Sequence, residues 1–390
     1  MGKKDIICIA TPKFRGNYLK STVQLMECMS KDCNVLYVDY PCTLKDVFKL
    51  ALKKDFTQIK KIFGLTDRIE DVKLKSGASL KLLTLPAILP INRIRTHWLF
   101  DLLSKWNAYI IRKCLLRQIS ELGIKNHIVI NAFQPFYGLH LMGKLGEEKN
   151  IYYCYDNISQ ASWLKTHGER YENAYIKKAD QVVVTSSELL KIKKKLNKNI
   201  SVIHNGVDFK LFNGTLTNFE NKKHKDTIGY LGTVDDRIDV DLIEHLAKAY
   251  PSKKIQFIGR CISENVKTRL SDYANVQFTG PQPIEQLPSF IEAMDVCIIP
   301  FKCNAFTKAI YPLKVNEYLA RGKAVVSTQF SDLSDFTGLI YTAEGTREFL
   351  DCVEKALAEN IPGITVKREL FAQSNSWSAR AKAFLCEVCA

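Results

Sequence analysis

No stretch of this 390-residue chain holds the ~18 consecutive apolar residues that a bilayer-spanning helix needs, so a chain that crosses a membrane on a helix is not expected. The opening MGKKDIICIATPKF has too short an apolar core for a secretory signal, and Ile6 stands where N-myristoylation expects Ser or Thr. A dinucleotide fingerprint is missing, because the first candidate loop, ATPKFRGN, has one glycine where G-x-G-x-x-G needs three. The 12 cysteines include a single C-x-x-C, Cys386 and Cys389, with no second pair and no histidine near it. That argues against zinc and reads as one face of a final helix. Cys8, Cys154 and Cys297 lie in apolar runs, as reduced and buried thiols do. No paired carboxylates stand out for acid–base work, and nothing beyond charge marks a nucleic-acid reader. These absences leave a cytoplasmic enzyme or binding protein that touches a membrane at most peripherally.

Acidic side chains are scarce in one half only. Residues 1–200 hold 34 Lys+Arg against 18 Asp+Glu, a balance of +16, and residues 201–390 hold 22 against 23, a balance of −1. A basic half implies an anionic partner, membrane phosphates or a phosphate-bearing substrate, against the plainer reading of a lysine-rich solvated surface.

What is present is a repeated strand–helix pattern. DIICIA, NVLYVD, HIVINA, NIYYCYD, QVVVTS and ISVIHN are short runs, apolar on both faces, separated by helical spacing. The pattern breaks at the polar stretch 209–226, FKLFNGTLTNFENKKHKD, and restarts as TIGYLG, KIQFIG, NVQFTG, DVCIIP, KAVVST and GLIYTA. The expectation is therefore two doubly wound, Rossmann-like α/β domains in tandem. One segment departs from the scheme: residues 80–120 predict a helix with Leu99, Leu102, Leu103, Trp106 and Ile110 on one side, and with Arg93, Arg95, Lys105, Arg112, Lys113 and Arg117 along it. It reads either as a core helix with a solvated basic face or as a surface helix lying on anionic lipid.

Ligands of doubly wound sheets bind beyond the carboxyl ends of the strands, so the candidate residues are those that follow strands. Gly16 and Gly232 would let backbone approach a phosphate. Arg237 is placed to grip a diphosphate bidentately. Asp239 and Asp241 spell D-x-D, which holds a metal in some sugar transferases, but Asp239 opens a predicted helix and reads better as its cap. Asp156 closes the strand IYYCYD and is either a base or sugar-hydroxyl ligand or a cap. In YPLKVNEYLARGKAVVST, Pro312 suits the first turn of a helix that carries Lys314 and Glu317 on one face. Buried segments seldom hold unpaired charge. A cation for a diphosphate and a carboxylate for a ribose diol would account for the two. Asn205-Gly206 in VIHNGVD reads as a turn.

Together these segments resemble the GT-B glycosyltransferases of family 4 (glycosyltransferase group 1). VIHNGVDFKLF is similar to the signature I-x-N-G-V-D-x-x-x-F. GYLGTVDDRID, VQFTGPQPIEQLPSFIEAMDVCIIPF and YPLKVNEYLARGKAVVST resemble donor-domain segments in the family's order, the last most like a teichuronic-acid and surface-polysaccharide subgroup. SWSARAKAFL is similar to the family's last helix. The resemblance covers 150–390 well and 1–150 loosely. It implies an N-terminal acceptor domain (1–208), a C-terminal nucleotide-sugar domain (209–371) and a final helix crossing back (372–390). It also implies a retaining transferase without a catalytic metal or other cofactor, using a nucleotide-diphosphate sugar, UDP-sugar favoured, on a glycan or lipid-linked acceptor. Glu317 matches the second glutamate of E-x7-E, which binds the ribose. Arg237 falls where a phosphate-binding lysine is usual, and Lys314 precedes the glutamate as in the subgroup's P-L-K-x-x-E. The departures are Ala309 in place of the first glutamate, Thr233 in place of the arginine that often follows the loop glycine, and no clear match to the family's N-terminal histidine, part of whose role Asp156 would take. Rival readings are a nucleotide-sugar epimerase of the same architecture and a non-catalytic nucleotide-sugar-binding protein.

Overall fold

The computed structural model describes residues 3–16, 20–160, 166–213, 226–359 and 362–389. Most of the polar stretch read as a boundary, residues 214–225, and Asn17 of the first turn lie outside the described residues. The chain divides into two compact units. One comprises Met1–His204 with Ala381–Ala390, the other Asn205–Arg380.

The first unit is built on an eight-stranded sheet of β1 (Lys4–Ala10), β2 (Cys33–Val38), β3 (Ile69–Lys73), β4 (Ser79–Leu83), β5 (Ile128–Ala132), β6 (Lys149–Cys154), β7 (Gln181–Val184) and β8 (Ile200–Val202). The order is β3-β4-β2-β1-β5-β6-β7-β8, parallel throughout except for the antiparallel β3–β4 edge. Its helices are α1 (Ser21–Met29), α2 (Leu44–Leu52), α3 (Phe56–Phe63), α4 (His97–Glu121), α5 (Pro135–Leu141), α6 (Gly168–Ile176) and α7 (Ser187–Lys193). Ile6, Ile7, Cys8 and Ile9 are all buried, so successive side chains on both faces of β1 are covered. That is why this strand reads as an unbroken apolar run. A fully buried Glu172 on α6 accepts a 3.0 Å hydrogen bond from the Tyr152 hydroxyl and pairs with the equally buried Lys193.

Of the two readings of the long helix α4, the core reading fails for its leucine-and-tryptophan side, since another face is turned inward. Phe100, Ser104, Ala108, Ile111 and Leu115 are buried, whereas Leu102 and Trp106 point to solvent. The inner face is specified by polar fit as well as apolarity. Asn107 brackets Leu89, accepting from its N–H at 2.9 Å and donating to its carbonyl at 3.0 Å.

The second unit holds a six-stranded, wholly parallel sheet: β9 (Thr227–Leu231), β10 (Lys254–Ile258), β11 (Val276–Gly280), β12 (Val296–Ile299), β13 (Ala324–Thr328) and β14 (Tyr341–Ala343), ordered β11-β10-β9-β12-β13-β14. Counted from its first strand this is 3-2-1-4-5-6, the Rossmann order, with the topological switch between β9 and β12. Its helices are α8 (Phe209–Phe212), α9 (Val240–Ala249), α10 (Glu264–Leu270), α11 (Leu287–Glu292), α12 (Ala305–Lys308), α13 (Leu313–Leu319), α14 (Thr346–Ala358) and α15 (Pro362–Ser374). The last helix, α16 (Trp377–Cys389), begins in this unit, and its residues from Ala381 belong to the first. Cys386 and Cys389 are exposed on it.

Candidate nucleotide site in the second unit

The switch point collects the residues of interest. β9 ends at Leu231, whose N–H donates to the Tyr318 hydroxyl of α13 at 2.8 Å, so strand end and helix are tied. Gly232 follows with φ +142°, a conformation that side chains other than glycine's seldom adopt. A Cβ there would stand 2.1 Å from Lys314 Cε, which means that the lysine stem lies across the glycine. The next strand's loop packs as closely, since a Cβ on Gly259 would meet the Gly232 carbonyl oxygen at 2.1 Å. Two glycines thus hold the ends of β9 and β10 together and leave backbone, with no side chain, beneath Lys314.

Lys314 is half-buried, its Nζ 5.8 Å from the centroid of the Tyr230 ring. Desolvation lowers its pKa, and Arg237 adds to the effect, while Glu317 and Asp235 oppose it. Glu317 is 7% exposed, and burial pushes its carboxyl up to about 7 from an ordinary 4.5, Lys314 pulling it partly back. Among the described residues neither charge is hydrogen-bonded or in an ion pair. Two opposite charges, both desolvated and near each other but not joined, form an unfinished site that a ligand with an anionic and a hydroxyl-bearing part would complete. Pro312 stands one place earlier than the sequence predicts. It is the N-cap residue, outside the helical turn, with ψ 90°.

The expectation for Arg237 needs correction. Its guanidinium fork is taken by Asp235, with Nε donating to Oδ1 at 2.8 Å and Nη2 to Oδ2 at 2.6 Å, and it lies 5.2 Å from the Phe301 ring centroid. Arg237 is thus an oriented member of a charge-balanced pair beside Lys314 and not an open fork. In D-x-D, Asp239 caps α9 by accepting from the Leu242 N–H at 3.2 Å, and Asp241 pairs with Arg269 at 2.5 Å. Both carboxylates have structural work. No cluster of three or more His, Cys, Asp or Glu side chains arranged for a metal occurs among the described residues.

Two candidates belong to the other unit. Asp156 lies two residues beyond Cys154, where β6 stops, so it does not close the strand. Its carboxylate accepts from the neighbouring Asn157 N–H at 2.7 Å, shaping the turn. Gly16 has φ +155°, but the loop it serves is spanned by a lysine: Lys20 Nζ donates to the carbonyls of Lys13 at 2.5 Å and Arg15 at 2.7 Å.

Asn205-Gly206 is more than a turn. Val207 exchanges backbone hydrogen bonds with Asn375 and Trp377, each 3.0 Å, and a Cβ on Gly206 would meet the Trp377 nitrogen at 2.8 Å. The motif is a strap that only glycine lets close, and its Asp208 caps α8. Sequence reasoning missed Asp235, Tyr230 and Tyr318. The aromatic pair sits inside apolar runs that look like any strand or helix. Asp235, two residues before Arg237, was a legible signal, because a carboxylate at that spacing competes for the guanidinium.

Residues 225–359 match the family model described as Glycosyl transferases group 1. Over 205 residues the chain is 28% identical to TuaH of Bacillus subtilis (strain 168), named for teichuronic acid biosynthesis as a glycosyltransferase. The match covers 47% of this chain and 50% of the relative, so the chain spans about half the length of that protein. Among solved structures it is similar to sucrose-phosphate synthase from Thermosynechococcus elongatus (TM-score 0.69, 13% identity, 98% and 97% of the two chains). It is also similar to HepE from Anabaena solved with UDP (TM-score 0.65, 11% identity, 99% of each). The protein has the GT-B fold, two parallel-sheet Rossmann-like domains. Within its second unit, residues 225–359 carry the match to the glycosyl transferases group 1 model, and the chain is similar over 205 residues to a glycosyltransferase of teichuronic acid biosynthesis.

Proposed function

We propose that the protein is a retaining glycosyltransferase that moves a sugar from a nucleotide-diphosphate sugar, a UDP-sugar by preference, to a lipid-linked or polysaccharide acceptor in surface-glycan assembly. The observation that carries this reading is the unjoined pair Lys314 and Glu317 over the glycine-lined end of β9, inside the group 1 domain. HepE, of the same fold, was solved with UDP. In this reading Glu317 accepts hydrogen bonds from the ribose diol, Gly232 lets the diphosphate reach backbone, and Lys314 sits against its charge.

The chemistry follows from the charges. The bond between the anomeric carbon and the phosphate oxygen breaks with its electrons going to phosphate, and the acceptor oxygen bonds to the same face of that carbon. The acceptor's proton passes to the leaving phosphate oxygen. Negative charge grows on the diphosphate during this step, and preorganised cations that need not rotate or desolvate stabilise it most. Lys314 supplies that charge, with Arg237 held in place by Asp235. Asp156 is assigned to the acceptor side. No step requires a metal. The +16 balance of residues 1–200 supports an anionic acceptor and a peripheral position on the inner face of the cell membrane.

The test is a thermal-shift panel of nucleotides and nucleotide-sugars followed by product analysis. A true donor raises the melting temperature by mass action, about 2.7 kcal/mol at a hundredfold excess over Kd. Transfer to acceptor supports the proposal. Recovery of an epimerised donor would favour the epimerase, and binding with neither transfer nor hydrolysis would favour the non-catalytic reading that Ala309 and Thr233 leave standing.

A further inference from the structure

The segment that follows β2 buries little of its surface. α2 has no buried residue, and in α3 only Ile62 is buried. On α2, Leu44, Phe48 and Leu52 stand at i, i+4 and i+8 and face solvent, Phe48 66% and Leu52 70% exposed. Lys45, Lys49 and Lys53 each follow one of them by a single residue, so an apolar ridge runs beside a lysine ridge along the helix. α3 continues the pattern with exposed Phe56 and Phe63 beside Lys60. Residues 44–66 hold six Lys and two Asp, a balance of +4, and both aspartates are spent as caps, Asp46 in a capping box with Thr43 and Asp55 on the Gln58 N–H.

The outward face of α4 has the same character. Trp98 and Trp106 are 68% and 56% exposed at i and i+8 with Leu102 between them, and exposed Lys105 and Lys113 share that side. The two elements are neighbours within the first unit. The Leu44 N–H donates to the Ile88 carbonyl at 3.0 Å, and the next residue, Leu89, is bracketed by Asn107 on the inward face of α4, so one end of the hairpin joins α4 from its buried side. At the far end the Arg68 side chain lies against Gly64, which ends α3, and is close enough to Arg117 of α4 to be repelled by it.

We propose that the α2–α3 hairpin, with the outward face of α4 beside it, docks on an anionic phospholipid bilayer, the apolar ridge below the headgroups and the lysine ridge on their phosphates. This deepens the peripheral-membrane part of the proposed function by naming its anchor, and it does not depend on the sugar chemistry. Charge selects the occupant. A second copy of the chain would bring the same positive patch against itself, whereas an anionic leaflet complements both ridges at once. No helix among the described residues is long and apolar enough to cross a membrane, so these helices lie on the surface.

The test uses the full chain with vesicles of phosphatidylglycerol and phosphatidylcholine mixed equally, and of phosphatidylcholine alone, without donor or acceptor. Wild type should co-sediment with the anionic vesicles at 0.1 M salt, at least tenfold less at 1 M, and weakly with the neutral ones. Brominated lipid should quench the exposed tryptophans. Phe48→Glu/Leu52→Glu should bind at least tenfold less while keeping its melting temperature, since both side chains are already solvated. If wild type binds and that variant binds equally well, the hairpin assignment is overturned while peripheral attachment stands. If wild type does not bind anionic vesicles, both fall. If wild type dimerises in solution and the double variant abolishes the dimer, a second copy covers this face and the proposal is overturned.

Discussion

Glu317→Gln separates a carboxylate kept for a ligand from one kept for the fold. The wild-type carboxyl is raised from 4.5 to about 7 by burial. At 1.36 kcal/mol per pKa unit, carrying it ionised in the unliganded protein costs about 3 kcal/mol. The sign follows from proton binding. Between pH 4.5 and about 7 the folded state holds this proton more tightly than the unfolded chain, so stability falls as pH rises through that window and the penalty is complete above it. Glutamine has the same shape without the charge, so the variant should be more stable than wild type at pH 8.5. The pull of Lys314 is already contained in the raised value, so the expected gain is up to about 3 kcal/mol. At pH 5 the folded wild-type carboxyl is protonated and the difference should shrink to about 1 kcal/mol or less. Urea denaturation at the two pH values measures it. Affinity moves the other way: a charged hydrogen bond contributes about 1.5–3 kcal/mol, so the variant should bind nucleotide about 10- to 150-fold more weakly by calorimetry. Wild-type binding should release a proton near neutrality and weaken as pH falls below about 7. A variant less stable than wild type at pH 8.5, with unchanged nucleotide affinity, would show that Glu317 is a structural ion-pair partner and would refute the site.

Gly232→Ala puts a methyl where the Lys314 stem lies, and a flexible stem can move; nucleotide affinity should drop tenfold or more in a titration, with a smaller loss of stability. Gly206→Ala meets the Trp377 backbone, which cannot move; it should lower the melting temperature by an amount equivalent to ~2–3 kcal/mol, and a neutral result would disprove the strap. Lys193→Ala leaves Glu172 charged in the core and should cost about 3–5 kcal/mol in denaturant, unless Glu172→Leu is added. Asp239→Ala should cost about 1 kcal/mol as a lost helix cap, and transfer activity should survive chelation; loss on chelation restored by manganese would overturn the metal-free chemistry.

The two-sheet plan was legible because parallel strands buried on both faces leave continuous apolar runs, and every run quoted from the second half became a strand of one Rossmann-ordered sheet. The β3–β4 edge was not legible. β3 reads IEDVK and is only partly buried, so its strand character comes from pairing antiparallel to β4 and not from its own pattern. The inward face of α4 was left open by the sequence for a related reason. Leucine spacing predicts one side, but Asn107 and Ser104 bond to neighbouring carbonyls and fix the other, leaving Leu102 and Trp106 outside. Periodicity assumes that apolar residues face the core, and α4 and α2 both violate it by leaving Leu102, Trp106, Phe48 and Leu52 in solvent.

The site was legible to the extent that its oddity was chemical. A lysine and a glutamate three apart in a segment flanked by buried strands is a conflict in the sequence itself, and the structure keeps it as a conflict: both charges desolvated, neither joined to a partner among the described residues. Arg237 carried a weaker signal, because an arginine after a strand has many possible partners and the nearest was already in the chain at Asp235. The difference has a physical basis. A charge satisfied within its own loop costs little and says little about ligands, whereas a buried charge without a partner lowers stability until something binds. Glu317, buried and unpaired among the described residues, destabilises the unliganded fold, and so points to a ligand more strongly than the satisfied ion pairs do.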